Sequence, residues 1–70
     1  MKRRIQVATS KELAYLTKII EGAGHLATIK TLSGQEAMAE VLCTEEQWSD
    51  VEMLLFALQS REDVTILSIN

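Results

Sequence analysis

The sequence of 70 residues, with a net charge of -3 and a hydrophobic fraction of 47%, predicts one folded domain over residues 1–70. The acidic balance disfavours nucleic acid as a partner, and a single cysteine excludes an internal disulfide. The longest apolar run, residues 53–58, is too short to span a bilayer, and no apolar signal segment follows the basic amino terminus. We therefore expect a cytoplasmic protein with no membrane partner.

The first predicted elements are a short strand and an amphipathic helix. Apolar and polar residues alternate over residues 4–8, as they do in a strand with one buried face. Thr9 and Glu12 have the spacing of a capping box, in which each side chain accepts a hydrogen bond from the other residue's amide. The helix should end at Gly22 or Gly24. Its buried stripe is predicted to be Leu13, Leu16, Ile20 and Ala23.

Two strands, residues 26–32 and 35–43, are predicted next as a hairpin. A three-residue loop over residues 32–34 would place Gly34 where a positive φ is needed. That register pairs Ile29 with Ala37, Ala27 with Ala39 and Lys30 with Glu36. A two-residue loop would instead set Ile29 against Met38 and divide the apolar residues between the two faces. The sequence therefore favours the longer loop.

A second helix and a last strand complete the pattern. Thr44 and Gln47 form a second capping box, and the intervening glutamates suit the positive end of a helix dipole. The helix is expected to end within residues 59–61, and residues 64–69 are predicted to form the strand. The buried stripe of the helix is predicted to be Trp48, Val51, Leu55 and Leu58.

The order strand, helix, strand, strand, helix, strand predicts an α+β fold. Short connections and right-handed crossovers favour a ferredoxin-like βαββαβ sandwich. It has an antiparallel four-stranded sheet of order 4-1-3-2 with both helices on one face. The other face of the sheet must then meet water or a partner.

Apolar residues outside the predicted core indicate self-association. A core of this size is marginal, because a small domain leaves much of its surface in water. On the open face of the sheet we place Leu26, Met38 and Leu42, with either Leu67 and Ile69 or Val64 and Ile66 from the last strand. The second helix adds Met53 and Phe56. Contiguous apolar patches usually mark contacts, so we predict a homodimer or higher oligomer. Its expected interface residues are Met38, Leu42, Met53, Phe56, Leu67 and Ile69.

Few residues are candidates for chemistry. Thr9, Ser10 and Lys11 lie at the start of the first helix, where free amides, hydroxyls and an ammonium can hold an anion. His25 is a second candidate ligand residue, and the hairpin would bring it to the same end of the sheet as Cys43. A Cys–His nucleophile lacks a third orienting residue, so we expect no enzyme. No Cys/His cluster indicates a metal, and we expect no cofactor.

Three stretches of the chain resemble a known family. Residues 12–16 (ELAYL), 19–22 (IIEG) and 26–31 (LATIKT) are similar to a family of small bacterial proteins of unknown function, over about residues 5 to 60. The element order and the approach to the second strand also resemble ACT domains, regulatory modules that pair side by side and often bind amino acids. ACT ligand sites usually have a glycine in the first strand–helix loop, where this chain has residues 8–11 (ATSK).

Together these features predict a non-catalytic regulatory or small-ligand-sensing module that acts as a homo-oligomer. An amino acid or a small anion is the expected ligand. The alternative is a protein-interaction subunit that contributes its apolar sheet edge to a larger complex. Fold alone does not decide between the two, because one fold supports many functions.

Overall fold

The computed structural model describes residues 1–22 and 27–70 of the chain. Its elements are β1 (Lys2–Val7), α1 (Ser10–Gly22), β2 (Thr28–Ser33), β3 (Met38–Leu42), α2 (Glu45–Ser60) and β4 (Ile66–Ile69). The strands form one antiparallel sheet of order β2-β3-β1-β4, which is the predicted 4-1-3-2 read from the other edge. The predicted fold class is confirmed. Ala23, Gly24, His25 and Leu26 lie outside the described residues, so the predictions that involve them are not tested.

Strand β1 occupies the centre of the sheet, between β3 and β4. Ile5 and Val7 alternate with polar residues and are fully buried, while their sheet neighbours Ala39 and Val41 are buried on the same face. The apolar residues of both helices join these four in one core cluster. A strand with one apolar face thus explains why both helices cover the same side of the sheet.

Helix α1 is capped at its start, but only half of the predicted box is present. The Glu12 amide donates to Thr9 Oγ1 at 3.1 Å, as predicted. The Glu12 carboxylate does not bind the Thr9 amide. It accepts from the Thr9 hydroxyl at 3.1 Å and from the Thr65 amide at 2.5 Å, because the chain entering β4 passes over this turn. The predicted stripe of Leu13, Leu16 and Ile20 is buried.

The β2–β3 hairpin has a different register from either one predicted. Ile29 pairs with Val41, Lys30 with Glu40 and Thr31 with Ala39, and an irregularity sets Ser33 beside Met38. The turn is longer than predicted, over residues 34–37. Its left-handed residue is Ala37, with φ 53°, and not Gly34. Ala37 is buried and its carbonyl accepts from the Val7 amide at 3.0 Å, so contacts with β1 decide the register.

Helix α2 confirms the second capping box and the second stripe. The Gln47 amide donates to Thr44 Oγ1 at 3.1 Å, and the Thr44 amide donates to Gln47 Oε1 at 2.9 Å. The far end closes in a Schellman motif, with Glu62 donating to the Gln59 carbonyl and Asp63 to the Leu58 carbonyl. Glu62 takes the left-handed position with φ 63°. The four predicted core residues, Trp48, Val51, Leu55 and Leu58, are buried.

Strand β4 is shorter than predicted, and neither predicted alternation of its side chains holds. Val64 is buried ahead of the strand, while Ile66 and Ile69 both pack against the core. Leu67 is 58% exposed. The reason is a register shift between Gln6 and Val7 on β1, which pair with Ser68 and Ile66 respectively. Such a bulge breaks the two-residue period on which the prediction relied.

The open face of the sheet is more polar than predicted. Its two apolar residues on β3, Met38 and Leu42, are half-buried among their neighbours. Register places Lys2 and Thr28 beside Leu42, and Gln6 beside Met38. Glu40 lies between Arg4 and Lys30, which makes a charge-alternating row across three strands.

Candidate ligand site at the start of helix α1

A surface depression of about 340 Å³ lies at the start of α1. It is lined by Lys11, Glu12, Tyr15 and Asp63. Lys11 and Tyr15 are four residues apart, so they share one face of the helix. Asp63 comes from the turn that joins α2 to β4. The depression therefore combines one ammonium, two carboxylates and an aromatic ring from two separate parts of the chain.

Glu12 is held in place by the bonds that its carboxylate accepts. One oxygen accepts from the Thr9 hydroxyl and the other from the Thr65 amide. The Thr65 carbonyl in turn accepts from the Ala8 amide at 3.0 Å, beside the same helix start. The carboxylate thus joins α1 to the segment that enters β4, and it gives this end of the helix a negative charge.

Asp63 has a less complete set of partners. Its Oδ2 lies 3.4 Å from Arg61 Nε, whose side chain is largely exposed. The same oxygen is buried and, within residues 1–22 and 27–70, accepts no hydrogen bond of good geometry. We interpret the Arg61 contact as an ion pair that leaves the oxygen's hydrogen-bonding capacity unused. A buried acceptor of this kind is costly unless a donor reaches it.

The predicted ligand residues are only partly assembled. Lys11 lines the depression, whereas the Thr9 hydroxyl is occupied by Glu12 and Ser10 is exposed beside it. His25 lies outside the described residues, so its predicted approach to Cys43 is not tested. Sequence reasoning missed Tyr15 and Asp63. The Lys11–Tyr15 spacing was a usable signal for the first, but only the tertiary structure brings Asp63 to α1.

A family model described as "Domain of unknown function (DUF4911)" matches residues 5–61. The chain belongs to this family. The predicted resemblance to a family of unknown function is confirmed. Neither the curated proteins nor the solved structures provide a significant match. Of the residues that line the depression in this DUF4911 protein, Lys11, Glu12 and Tyr15 lie inside the matched range, and Asp63 lies beyond it.

The DUF4911 chain also exposes large apolar side chains away from the depression. Met53 and Phe56 of α2 are 70% and 54% exposed, and Leu67 of β4 is 58% exposed. Cys43 is half-buried and packs against the core. Among the described residues, no His, Cys, Asp and Glu side chains cluster as metal ligands. In the same part of the chain, no helix is long and apolar enough to cross a membrane.

Proposed function

We propose that this protein is a non-catalytic cytoplasmic module that senses a small ligand and acts as a homo-oligomer. The ligand is an amino acid or a similar zwitterion, bound in the depression at the start of α1. The observation that carries this proposal is the meeting of Lys11, Glu12, Tyr15 and Asp63 around one depression. Its volume of about 340 Å³ is within the range of small-molecule sites.

Charge favours a zwitterion over a simple anion. Lys11 supplies an ammonium for a ligand carboxylate. Two carboxylates in the same lining would repel an anion that carried no positive group. An α-ammonium group would instead donate to the carboxylate of Asp63, which lines the depression. The ring of Tyr15, which is 40% exposed, offers an apolar wall to the ligand's side chain.

The position of the depression suits sensing, because its residues come from two segments that are far apart in the sequence and meet only in the folded protein. Lys11 and Tyr15 belong to α1, and Asp63 belongs to the α2–β4 turn. A ligand that contacts both sides would hold α1 and β4 together. It would therefore raise the free energy of unfolding by an amount set by its concentration relative to its dissociation constant.

The test is thermal unfolding of the protein with each of the amino acids, at a fixed protein concentration. A ligand at a concentration 100-fold above its dissociation constant adds about 2.7 kcal/mol, which for a domain of this size raises Tm by more than about 10 °C. Lys11→Met and Asp63→Asn should each abolish the shift. Lys18→Met is the matched control, because Lys18 is exposed on α1 and does not line the depression. An unchanged Tm with every amino acid would contradict the proposal.

A second candidate is a protein-interaction subunit that uses the edge of its sheet. Strand β4 lies at an edge and presents Leu67, which is 58% exposed. Unpaired backbone groups on an edge strand can pair with a strand of another protein. In this case small molecules would not change Tm, and a defined hetero-complex would be lost on Leu67→Asp.

A further inference from the structure

One face of α2 points away from the core and carries its largest exposed side chains. Met53 is 70% exposed and Phe56 is 54% exposed, and both lie opposite the buried stripe of the same helix. Ser49 and Ser60, also exposed, extend this line by one turn in each direction. The four residues Ser49, Met53, Phe56 and Ser60 are termed the α2 seam.

The seam has the spacing of a helix-packing surface. Its members are separated by four, three and four residues, which is the alternation that keeps a line of side chains facing a second helix. Large apolar side chains occupy the middle and small ones the ends. We infer that a second copy of this chain covers the α2 seam, with the two α2 helices packed antiparallel about a two-fold axis. This inference rests on the homo-oligomer part of the proposed function and names its interface.

The order of residues along the seam is self-complementary under this symmetry. With the two-fold axis between Met53 and Phe56, Met53 lies beside the partner's Phe56. Ser49 lies beside the partner's Ser60 by the same operation. A two-fold interface requires each contacting pair to occur twice. The side chains along the seam meet this requirement, because their sizes run small, large, large, small and so read the same in both directions. The small serines at the ends let the two helices approach closely.

Charge decides the direction of packing. The four acidic residues of α2, Glu45, Glu46, Asp50 and Glu52, all lie in its first half. Residues 53–60 carry no charged side chain, and Arg61 follows them. Parallel packing would set the acidic halves against each other. Antiparallel packing sets each acidic half against an uncharged half and aligns the helix dipoles favourably.

The residues that flank the seam also disfavour an anionic membrane surface as its occupant. Asp50 lies on one side of the seam and Glu52 on the other. An interfacial helix that binds anionic lipid normally carries lysine and arginine at these positions. In the antiparallel pair, Asp50 lies beside the partner's Ala57 and Glu52 beside the partner's Gln59, so neither carboxylate meets a like charge.

The first experiment is sedimentation equilibrium of the full chain and its variants. The native chain should give a dimer mass, and Phe56→Asp should give a monomer mass. The expected loss of affinity is about 1,000-fold, since one central residue contributes twice in a two-fold interface. Leu67→Asp is the matched control, because Leu67 is exposed to a similar degree on β4, and this variant should remain dimeric. Circular dichroism checks that each variant is folded.

The second experiment tests the direction of packing by thiol cross-linking in a Cys43→Ser background. An oxidised mixture of the Ser49→Cys chain and the Ser60→Cys chain should yield a cross-linked pair. Each variant oxidised alone should stay largely uncross-linked. Strong cross-linking of each variant with itself, and no cross-link between positions 49 and 60 in the mixture, would show parallel packing and overturn the inference.

The outcomes separate this inference from the proposed function. A Phe56→Asp chain that stays dimeric would overturn the α2 seam and leave the homo-oligomer standing. A native chain that is monomeric at micromolar concentration would overturn both the seam and the oligomer. The ligand-dependent shift in Tm, measured on the Phe56→Asp variant, reports on the sensing site separately from assembly.

Discussion

The carboxylate of Glu12, in the first turn of α1, accepts a hydrogen bond of 2.5 Å from the backbone amide of Thr65, 53 residues further along the chain. The bond connects α1 to the segment that enters β4, at the edge of the candidate ligand site. Glu12 therefore has two structural roles, since it also accepts from the Thr9 hydroxyl at the helix start.

Removing this carboxylate should destabilise the fold. We expect Glu12→Ala to lower the free energy of unfolding by about 1.5–3 kcal/mol, the range for a hydrogen bond to a charged acceptor. Glu12→Gln keeps one oxygen acceptor, so its free energy of unfolding should fall by about half as much. Urea unfolding measures both. Glu21→Ala, at an exposed position late in α1, is the control and should change stability by less than about 0.5 kcal/mol. Equal effects at Glu12 and Glu21 would contradict the role of the Thr65 bond.

The left-handed residue that ends α2 offers a stabilising substitution. Glu62 has φ 63° and occupies the position of a Schellman motif where glycine is favoured. Glu62→Gly should raise the free energy of unfolding by about 1 kcal/mol, because the clash of its Cβ with the backbone is removed. Tm should rise by about 4–8 °C. Glu62→Ala keeps the Cβ and should give no such gain, and a comparable rise in that variant would refute the explanation.

The β2–β3 register can be tested by reversing one charge. Glu40 lies between Arg4 and Lys30 in the sheet, so Glu40→Lys would place three positive charges in one row. We expect a loss of about 1 kcal/mol, which becomes smaller in 1 M salt, where the Debye length is about 3 Å. Glu36→Lys makes the same change in net charge within the exposed turn and should be nearly neutral. A larger loss at Glu36 would favour the register in which that residue pairs with Lys30.

The Arg3 side chain, which lies over Trp48, affects the stability of the fold in two opposing ways. The guanidinium carbon lies 5.3 Å from the centre of the indole ring, but Arg3 Nε is buried and, within the described residues, has no hydrogen-bond partner. Loss of the cation–π contact costs about 0.5–1 kcal/mol, while relief of the unsatisfied Nε gains about 1–3 kcal/mol. We therefore expect Arg3→Met, which keeps an apolar stem over Trp48, to be at least as stable as the native chain. Urea unfolding followed by Trp48 fluorescence measures the difference, and a clear loss of stability would contradict this balance.

The parts of the fold that were predictable are those encoded by neighbouring residues. The Thr44–Gln47 capping box acts within one helical turn, and the α2 stripe from Trp48 to Leu58 repeats with the period of the helix itself. Once six elements were recognised, the constraints on short connections left few topologies, and the observed strand order is the favoured one. The predicted register of the β2–β3 hairpin was wrong, because Ala37 is positioned by its contact with β1, which pairs with the other edge of β3.

The candidate site also combines features set by neighbouring residues with features set by long-range contacts. Short-range sequence patterns predicted the helix start at Thr9, the position of Lys11 within its first turn and the apolar residues left on the outer face of α2. Long-range packing brings Asp63 and Thr65 to that helix start, turns Ile69 toward the core through a bulge and leaves Leu67 exposed. The two groups of features differ in how far apart along the chain the interacting residues lie. Caps and helical periodicity depend on residues a few positions apart, whereas strand register and the meeting of distant side chains depend on packing the whole core at once.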